Sequence, residues 1–320
     1  MAVYTEVSST QLAAYLEAFD LGKVLSLKGI TGGVENTNYA LHTQTGSYIL
    51  TLYEKRVAEE DLPFFVGLMD HLAQAGFPCP FPIRNRAGDA LGHLAQRPAA
   101  MVSFLEGMEI SDPAPRHGSA VGATMARMHL LAADFQIKRT NALAPHGWPE
   151  LANASADEAD SVEAGLRKLI ADEMIWTAKH WPKDIPTGVI HADMFKDNVF
   201  FLDDQLSGVI DFYFACNDFL AYDIAVAINA WCFNADLKFQ PDMCAAILQG
   251  YQTVRPLEST EKQALPVLAR GAALRFLLTR LNDWLNVPEG AVVVPHDPKA
   301  FSARLRCFQE AETAEFLKGA

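Results

Sequence analysis

The segment GVIHADMFKDNVFFLDDQLSGVIDFY carries four polar residues, His191, Asp193, Asn198 and Asp211, whose types and spacing can do chemistry. Asp193 is a carboxylate that can orient an acceptor hydroxyl and take its proton. Asn198 and Asp211 offer amide and carboxylate oxygens, the ligands that a hard cation such as Mg²⁺ accepts. His191 stands where it can support the loop by hydrogen bonding. A hydroxyl-orienting carboxylate with two metal oxygens is what phosphoryl transfer needs, since its catalysis is mostly positioning and charge neutralisation. Taken singly, each residue has a plainer reading: Asp193 and Asn198 cap turns and Asp211 ends a strand. Together, with a hairpin expected between Asn198 and Asp211, they favour the chemical reading.

Further upstream, Gly32-Gly33-Val34-Glu35-Asn36-Thr37-Asn38 precedes a pair of strand-like runs. Glycines let backbone N–H groups approach phosphate oxygens, and Asn36, Thr37 and Asn38 can add donors. An ordinary turn is the alternative. The chain has no G-x(4)-G-K-[ST] motif and no dinucleotide fingerprint in a strand–helix context, so neither a P-loop nor a Rossmann site is supported.

The elements that must hold these residues follow from periodicity. SSTQLAAYLEAF has apolar residues at helical spacing behind Ser8 and Ser9. Tyr39 to Thr43 and Ser47 to Tyr53 read as a hairpin turned at Gly46. A helix is expected from Asp61 to Ala75, then the extended FPCPFP, the turn NRAGD and a buried strand in PAAMVSFLEG. Beyond Glu106 the pattern turns helical, over His117 to Ala132, Ala156 to His180, Phe219 to Phe233, Asp242 to Thr253 and Ser259 to Asn286. Strands at Val199 to Leu202 and Ser207 to Asp211 interrupt it as a second hairpin. The expected layout is α+β: a small N-terminal lobe with an antiparallel sheet (1–103), a larger helical lobe (104–320), and a site in the cleft between them.

Composition bounds the partners. A formal charge of −13 argues against a general nucleic-acid binder, which needs a basic surface. The five scattered cysteines form no CxxC pair and suit reduced thiols in a cytoplasmic protein. Neither a signal peptide nor a membrane span is apparent, so no membrane and no obligate protein partner is expected.

Several segments carry a resemblance: GGVENTNY, YILTLYEKRV, DLPFFVGLMDHLAQAGFPCPFPI, RPAAMVSFLEG, the stretch from Val189 to Phe233, and LPVLARGAALRFLLTRLNDWLN. The chain resembles the aminoglycoside-phosphotransferase and choline-kinase group of the protein-kinase-like superfamily, and within it the bacterial homoserine kinases of threonine biosynthesis. The resemblance implies a bilobal fold, ATP and Mg²⁺ as cofactors, adenine held by backbone groups around Ser103 to Leu105, and transfer to the side-chain hydroxyl of homoserine. It implies Asp193 as the catalytic carboxylate and Asn198 with Asp211 as the metal ligands.

The chain also departs from that pattern. Thr51 stands where a phosphate-binding Lys or Arg is expected, and Phe64 and Phe65 lie where its partnering Glu would sit. Lys28, Lys55 or Arg56 can substitute. Asp223 is expected to support the catalytic loop from the next helix, and His129 to be a packed helix residue. For the acceptor, Asp218, Tyr213 and Arg275 are the candidates, because an amino acid needs a cation for its carboxylate. Choline, ethanolamine, an aminoglycoside or another small alcohol is the alternative acceptor, and a non-catalytic nucleotide-binding module is the alternative class.

Overall fold

The computed structural model describes residues 5–30, 36–54, 57–287 and 295–319. Backbone packing divides the chain into two compact units. The first takes Met1–Gly107, Phe135–Ile137 and Ser207–Tyr213; the second takes Met108–Asp134, Lys138–Leu206 and Phe214–Ala320.

The first unit begins with α1 (Ser9–Leu16), which starts on a reciprocal cap: the Ser8 hydroxyl accepts the Gln11 N–H, and the Gln11 side chain accepts that of Ser8. Next come β1 (Val24–Gly29), β2 (Thr37–Thr43), β3 (Ser47–Leu52), α2 (Leu62–Gln74), β4 (Leu91–Leu94) and β5 (Arg97–Ser103). The strands form one antiparallel sheet in the order β1-β2-β3-β5-β4. The expected hairpin is β2–β3, with His42 opposite Ser47. Burial alternates strictly along β2, and Tyr39 and Leu41 join Leu50, Leu52, Ala99 and Met101 in a core under the sheet. Periodicity did not predict β1 or β4. β1 has no fully buried residue and β4 is only four residues long, so neither shows the alternation of a half-buried strand.

The second unit holds α3 (Pro115–Leu131), α4 (Trp148–Ser155), α5 (Ala159–Val162), α6 (Leu166–His180), β6 (Thr187–Ile190), β7 (Val199–Leu202) and, from Gln205, β8 (Gln205–Val209). It continues with β9 (Cys216–Phe219), α7 (Leu220–Trp231), α8 (Pro241–Gln252), α9 (Ser259–Leu285), α10 (Lys299–Gln309) and α11 (Ala311–Gly319). The single helix expected over 156–180 is broken. Gly165 adopts φ 80°, a left-handed conformation that a helix interior cannot contain, and α6 starts directly after it. The β7–β8 turn is made by Asp203 and Asp204, both left-handed at φ 48° and 66°. A two-residue hairpin favours that geometry. β6 and β9 form a small antiparallel sheet that the sequence reading missed, pairing Ile190 with Cys216.

Two packing features fix the position of the loop that follows β6. α7 is buried on every face, so it is a central helix rather than an amphipathic one. α3 and α8 meet backbone to backbone: a Cβ on Gly122 would lie 2.0 Å from the Ile247 carbonyl oxygen, and one on Gly250 would lie 2.1 Å from that of Ser119. No helix among the described residues is long and apolar enough to cross a membrane.

Candidate active site

β6 delivers the chain into His191-Ala192-Asp193, and α7 anchors that loop from behind. The Asp223 carboxylate, fully buried, accepts the backbone N–H of His191 at 2.9 Å and of Ala192 at 2.8 Å. His129 on α3 joins the same carboxylate at 3.0 Å through Nε2, while its Nδ1 meets the Tyr251 hydroxyl at 2.8 Å. Burial pushes the Asp223 carboxyl up, but the His129 hydrogen bond and the charges of His129 and His191 outweigh it and hold the group below the usual carboxylate range. His129 is thus a bridging residue, and the expected supporting role of Asp223 has a definite form.

Ala192 sits at φ 61°, a conformation that costs a non-glycine residue about 1–2 kcal/mol. It is held there from both sides. Asp223 takes its N–H, and Arg275 of α9 donates to its carbonyl at 3.1 Å. Arg275 is 3% exposed, stacks on Phe276 at 3.9 Å, and stands 3.8 Å from an Asp193 carboxylate oxygen. That separation is a charge contact and too long for a hydrogen bond. The Asp193 N–H points back to His191 Nδ1 at 3.3 Å.

Asn198 closes the loop. Its Nδ2 donates to the Asp193 carbonyl at 2.8 Å and to the Asp193 carboxylate at 3.1 Å. Because the amide nitrogen is used on Asp193, the amide oxygen is the atom left to accept or to ligate. Trp231, fully buried, donates from Nε1 to the Met194 carbonyl at 2.9 Å, so this ring braces the loop. The second unit therefore brings together Asp193, His191, Asn198 and Arg275.

Asp211 and Tyr213 belong to the first unit. Asp211 is exposed and left-handed at φ 63°. Tyr213 stands edge-on to Tyr53 and Phe65, its hydroxyl 3.3 Å from that of Tyr53, and burial raises its pKa. Thr51, in register with Asn38, donates to the Asn38 side chain at 2.7 Å, so this pair is an internal bond of the sheet. Ser103 bonds Phe81 through both backbone and side chain, and Leu105 covers Gly208. Asp218 is tied to Asn141 at 2.7 Å and to the Phe219 N–H, and burial pushes its carboxyl up. Lys28 lies exposed on β1. Gly32, Gly33, Lys55 and Arg56 lie outside the described residues.

Sequence reasoning overlooked Glu54 and Arg97. Glu54 accepts the hydroxyls of Thr5 and Thr37 at 2.6 and 2.8 Å, its N–H donates to Asn36, and Arg97 pairs with it at 3.1 Å. Asn36 and Thr37 are thereby fixed by a partly buried acid. Only the polarity of YE-K-R hinted at this, because Arg97 comes from a distant strand.

In chemical type, the side-chain oxygens of Asn198 and Asp211 are ligands that a magnesium ion accepts. No group of three or more His, Cys, Asp or Glu among the described residues forms a ready metal cage. Mg²⁺ is usually held by one or two protein oxygens, with substrate phosphates and water completing its shell.

A sheet-bearing unit, a helical unit and an Asp–Asn loop anchored by a buried helix define a phosphotransferase of the kinase-like class. The model of the phosphotransferase enzyme family matches residues 26–257, and the chain belongs to that family. It is 55% identical over 314 residues to a protein of Methylobacterium radiotolerans named homoserine kinase, covering 98% of each chain. A homoserine kinase of Brucella anthropi is also 55% identical, over 98% of this chain and 96% of its own. The fold is shared with an amicoumacin kinase solved in complex with AMP-PNP, Ca²⁺ and Ami, with TM-score 0.71, 13% identity, and coverage of 98% of this chain and 93% of that one.

Proposed function

We propose that the chain transfers the γ-phosphoryl group of ATP to the side-chain hydroxyl of L-homoserine, giving O-phospho-L-homoserine and ADP. Its full-length identity of 55% to proteins named homoserine kinase carries the choice of acceptor. The geometry of the Asp193 loop supports the chemistry. Asp193 receives the acceptor hydroxyl and accepts its proton as the oxygen attacks phosphorus in line with the departing ADP oxygen. Asn198 holds the Asp193 carboxylate by one Nδ2 bond, so the base is aimed before substrate arrives. Arg275 keeps a positive charge beside that carboxylate and secures the strained Ala192 carbonyl.

Asn198 and Asp211 are the residues that would hold Mg²⁺, which when bound neutralises phosphate charge. The flank of the Gly32-Gly33 segment, Asn36 to Asn38, is assigned to the phosphates, and the backbone from Ser103 to Leu105 to the adenine. The five cysteines are free thiols, and we place the enzyme in the reducing cytoplasm on that ground.

The test is a coupled ADP-release assay with homoserine, choline, ethanolamine, methylthioribose and aminoglycosides as acceptors. Homoserine is expected to give the highest kcat/KM, with turnover abolished by EDTA and restored by Mg²⁺. Robust turnover of another alcohol with none of homoserine would overturn the acceptor, and turnover of none of these acceptors would count against the kinase assignment.

A further inference from the structure

Five arginines of α9 and α10 face the question of what neutralises them. Arg270 forms a paired contact with Glu173 and lies over Trp176. Arg306 pairs with Glu163 at 2.6 Å. Arg275 is taken by the Ala192 carbonyl and the Asp193 charge. Arg280 and Arg304 differ: neither makes an ion pair among the described residues. The Nε and Nη1 atoms of Arg304 are buried with no hydrogen-bond partner among the described residues.

These two guanidinium groups share an aromatic floor. The Arg280 group lies 4.5 Å and the Arg304 group 4.4 Å from the centroid of the Phe301 ring, and Arg304 also lies 5.3 Å from that of Phe233. Phe276 stacks on Phe301, and Phe195, from the turn just after Asp193, packs edge-on to Phe276 at 4.8 Å. The pair is therefore joined to the catalytic loop by a continuous run of rings. Burial and the charge of Arg280 together push the Arg304 guanidinium down to about 10. Burial also lowers Arg280, with Asp193, Asp197 and Asp297 opposing that and Arg275 adding to it.

At neutral pH both groups stay charged. Two like charges on one apolar floor, one with buried unpaired donors, are costly as they stand. A planar anion relieves that cost, and a carboxylate matches the guanidinium fork with two parallel hydrogen bonds.

We propose that Arg280 and Arg304 form the subsite for the α-carboxylate of the amino-acid acceptor, an assignment that rests on the homoserine reading above. Arg275, the arginine that sequence reasoning favoured for this role, instead positions the catalytic loop. The two arginines act on binding and specificity: they select an α-amino acid over the amino alcohol that lacks its carboxylate, while Asp193 handles the hydroxyl.

The experiment measures steady-state kinetics at saturating ATP with L-homoserine, L-homoserine amide and 3-aminopropan-1-ol, for the full-length wild-type enzyme and for Arg304→Met, Arg304→Lys and Arg280→Gln. Wild type should prefer homoserine to both uncharged-end acceptors. Arg304→Met should raise KM for homoserine roughly 10- to 100-fold, the range expected for losing hydrogen bonds to a charged group. Its kcat and its KM for ATP should change little, and kcat/KM for 3-aminopropan-1-ol should stay near the wild-type value. Arg304→Lys should recover part of the loss, and Arg280→Gln should repeat it more weakly.

Equal losses on all three acceptors, or an unchanged KM for homoserine, would overturn the assignment. The wild-type comparison guards against a variant that does not fold: if the wild-type enzyme uses homoserine amide as well as homoserine, the subsite does not exist. If wild type turns over a different alcohol and ignores homoserine, the functional reading itself fails, and this inference falls with it.

Discussion

Asp193 illustrates how much chemistry a short spacing can encode and where that stops. Replacing it with Asn keeps the shape and an acceptor for Asn198, but removes the charge that, in the proposed reaction, takes the proton. Asp193→Asn should lower kcat by about 10²- to 10⁴-fold, the usual worth of a general base. KM for ATP should be little changed and stability should stay within about 1 kcal/mol of wild type. A kcat near wild type would remove Asp193 from the reaction. The residues of this loop were legible because their partners are near in sequence: Asn198 reaches Asp193 across five positions. Arg304 was not legible, since its lack of a partner is a property of three-dimensional packing. Glu54 with Arg97, and Asp223 with His129, failed or only partly succeeded for the same reason, as each pairs two distant elements. Asp223 also sets a pH dependence. Its folded pKa is held below the ordinary carboxylate value, so its contribution to stability is fully present above about pH 4, where the unfolded group has ionised. That contribution is lost as pH falls through the lower folded value. Urea unfolding followed from pH 7 downward should show an acid decline in wild type that is shallower in Asp223→Asn. The variant should already be less stable at pH 7 by about 3 kcal/mol, because a buried pair loses one partner. Parallel pH curves would show that another carboxylate governs the decline.

At the scale of elements, the helices were read well where one face is apolar and poorly where backbone conformation decides. The helix expected over 117–132 appears as α3 and that over 259–286 as α9, each within about two residues. The break at Gly165 and the β6–β9 pairing were missed, because a left-handed glycine and a four-residue strand leave almost no periodic signal. The α3–α8 contact depends on two glycines that sequence alone presents as mere helix weakeners. Gly122 and Gly250 let the helices meet backbone to backbone, and α3 and α8 carry His129 and, at their interface, Tyr251. From Tyr251 the chain of bonds runs outward to Arg255 and Glu261, and from His129 inward to Asp223 and the loop. Gly122→Ala must therefore separate two backbones, with no flexible side chain available to yield. The expected cost is about 2–4 kcal/mol, at or above the upper end for overpacking. kcat should fall as well, because His129 shifts away from Asp223. Chemical denaturation and turnover measured on the same sample check both effects. A stable variant with wild-type kcat would show that the helices can part without disturbing the loop.

For the whole molecule, the distribution of thiols gives a direct reading of how tightly both units are closed. Cys79 lies in the first unit and Cys216, Cys232 and Cys244 in the second, and all four are buried; Cys307 alone is partly exposed. Burial pushes the Cys79 thiol up to about 12 and raises Cys216 and Cys232 above the usual thiol range as well. Reactivity belongs to the thiolate, so these groups are protected twice, by exclusion of reagent and by suppression of the reactive form. Cys307 is also raised by burial, though its contact with Thr313 works against that. In native protein at pH 7.5, an aromatic disulfide reagent should therefore modify one thiol slowly, and mass mapping should place the label on Cys307. In denaturant, five thiols should react at once. Labelling of the other four in native conditions has to wait for opening of the structure, and their rates should rise with denaturant in step with loss of the folded signal. Rapid native labelling of Cys216 would be the most damaging result, because it pairs with Ile190 immediately before the catalytic loop. Its exposure would mean that the β6–β9 sheet opens freely, and that Asp193 is not held in the preorganised geometry on which the proposed reaction depends.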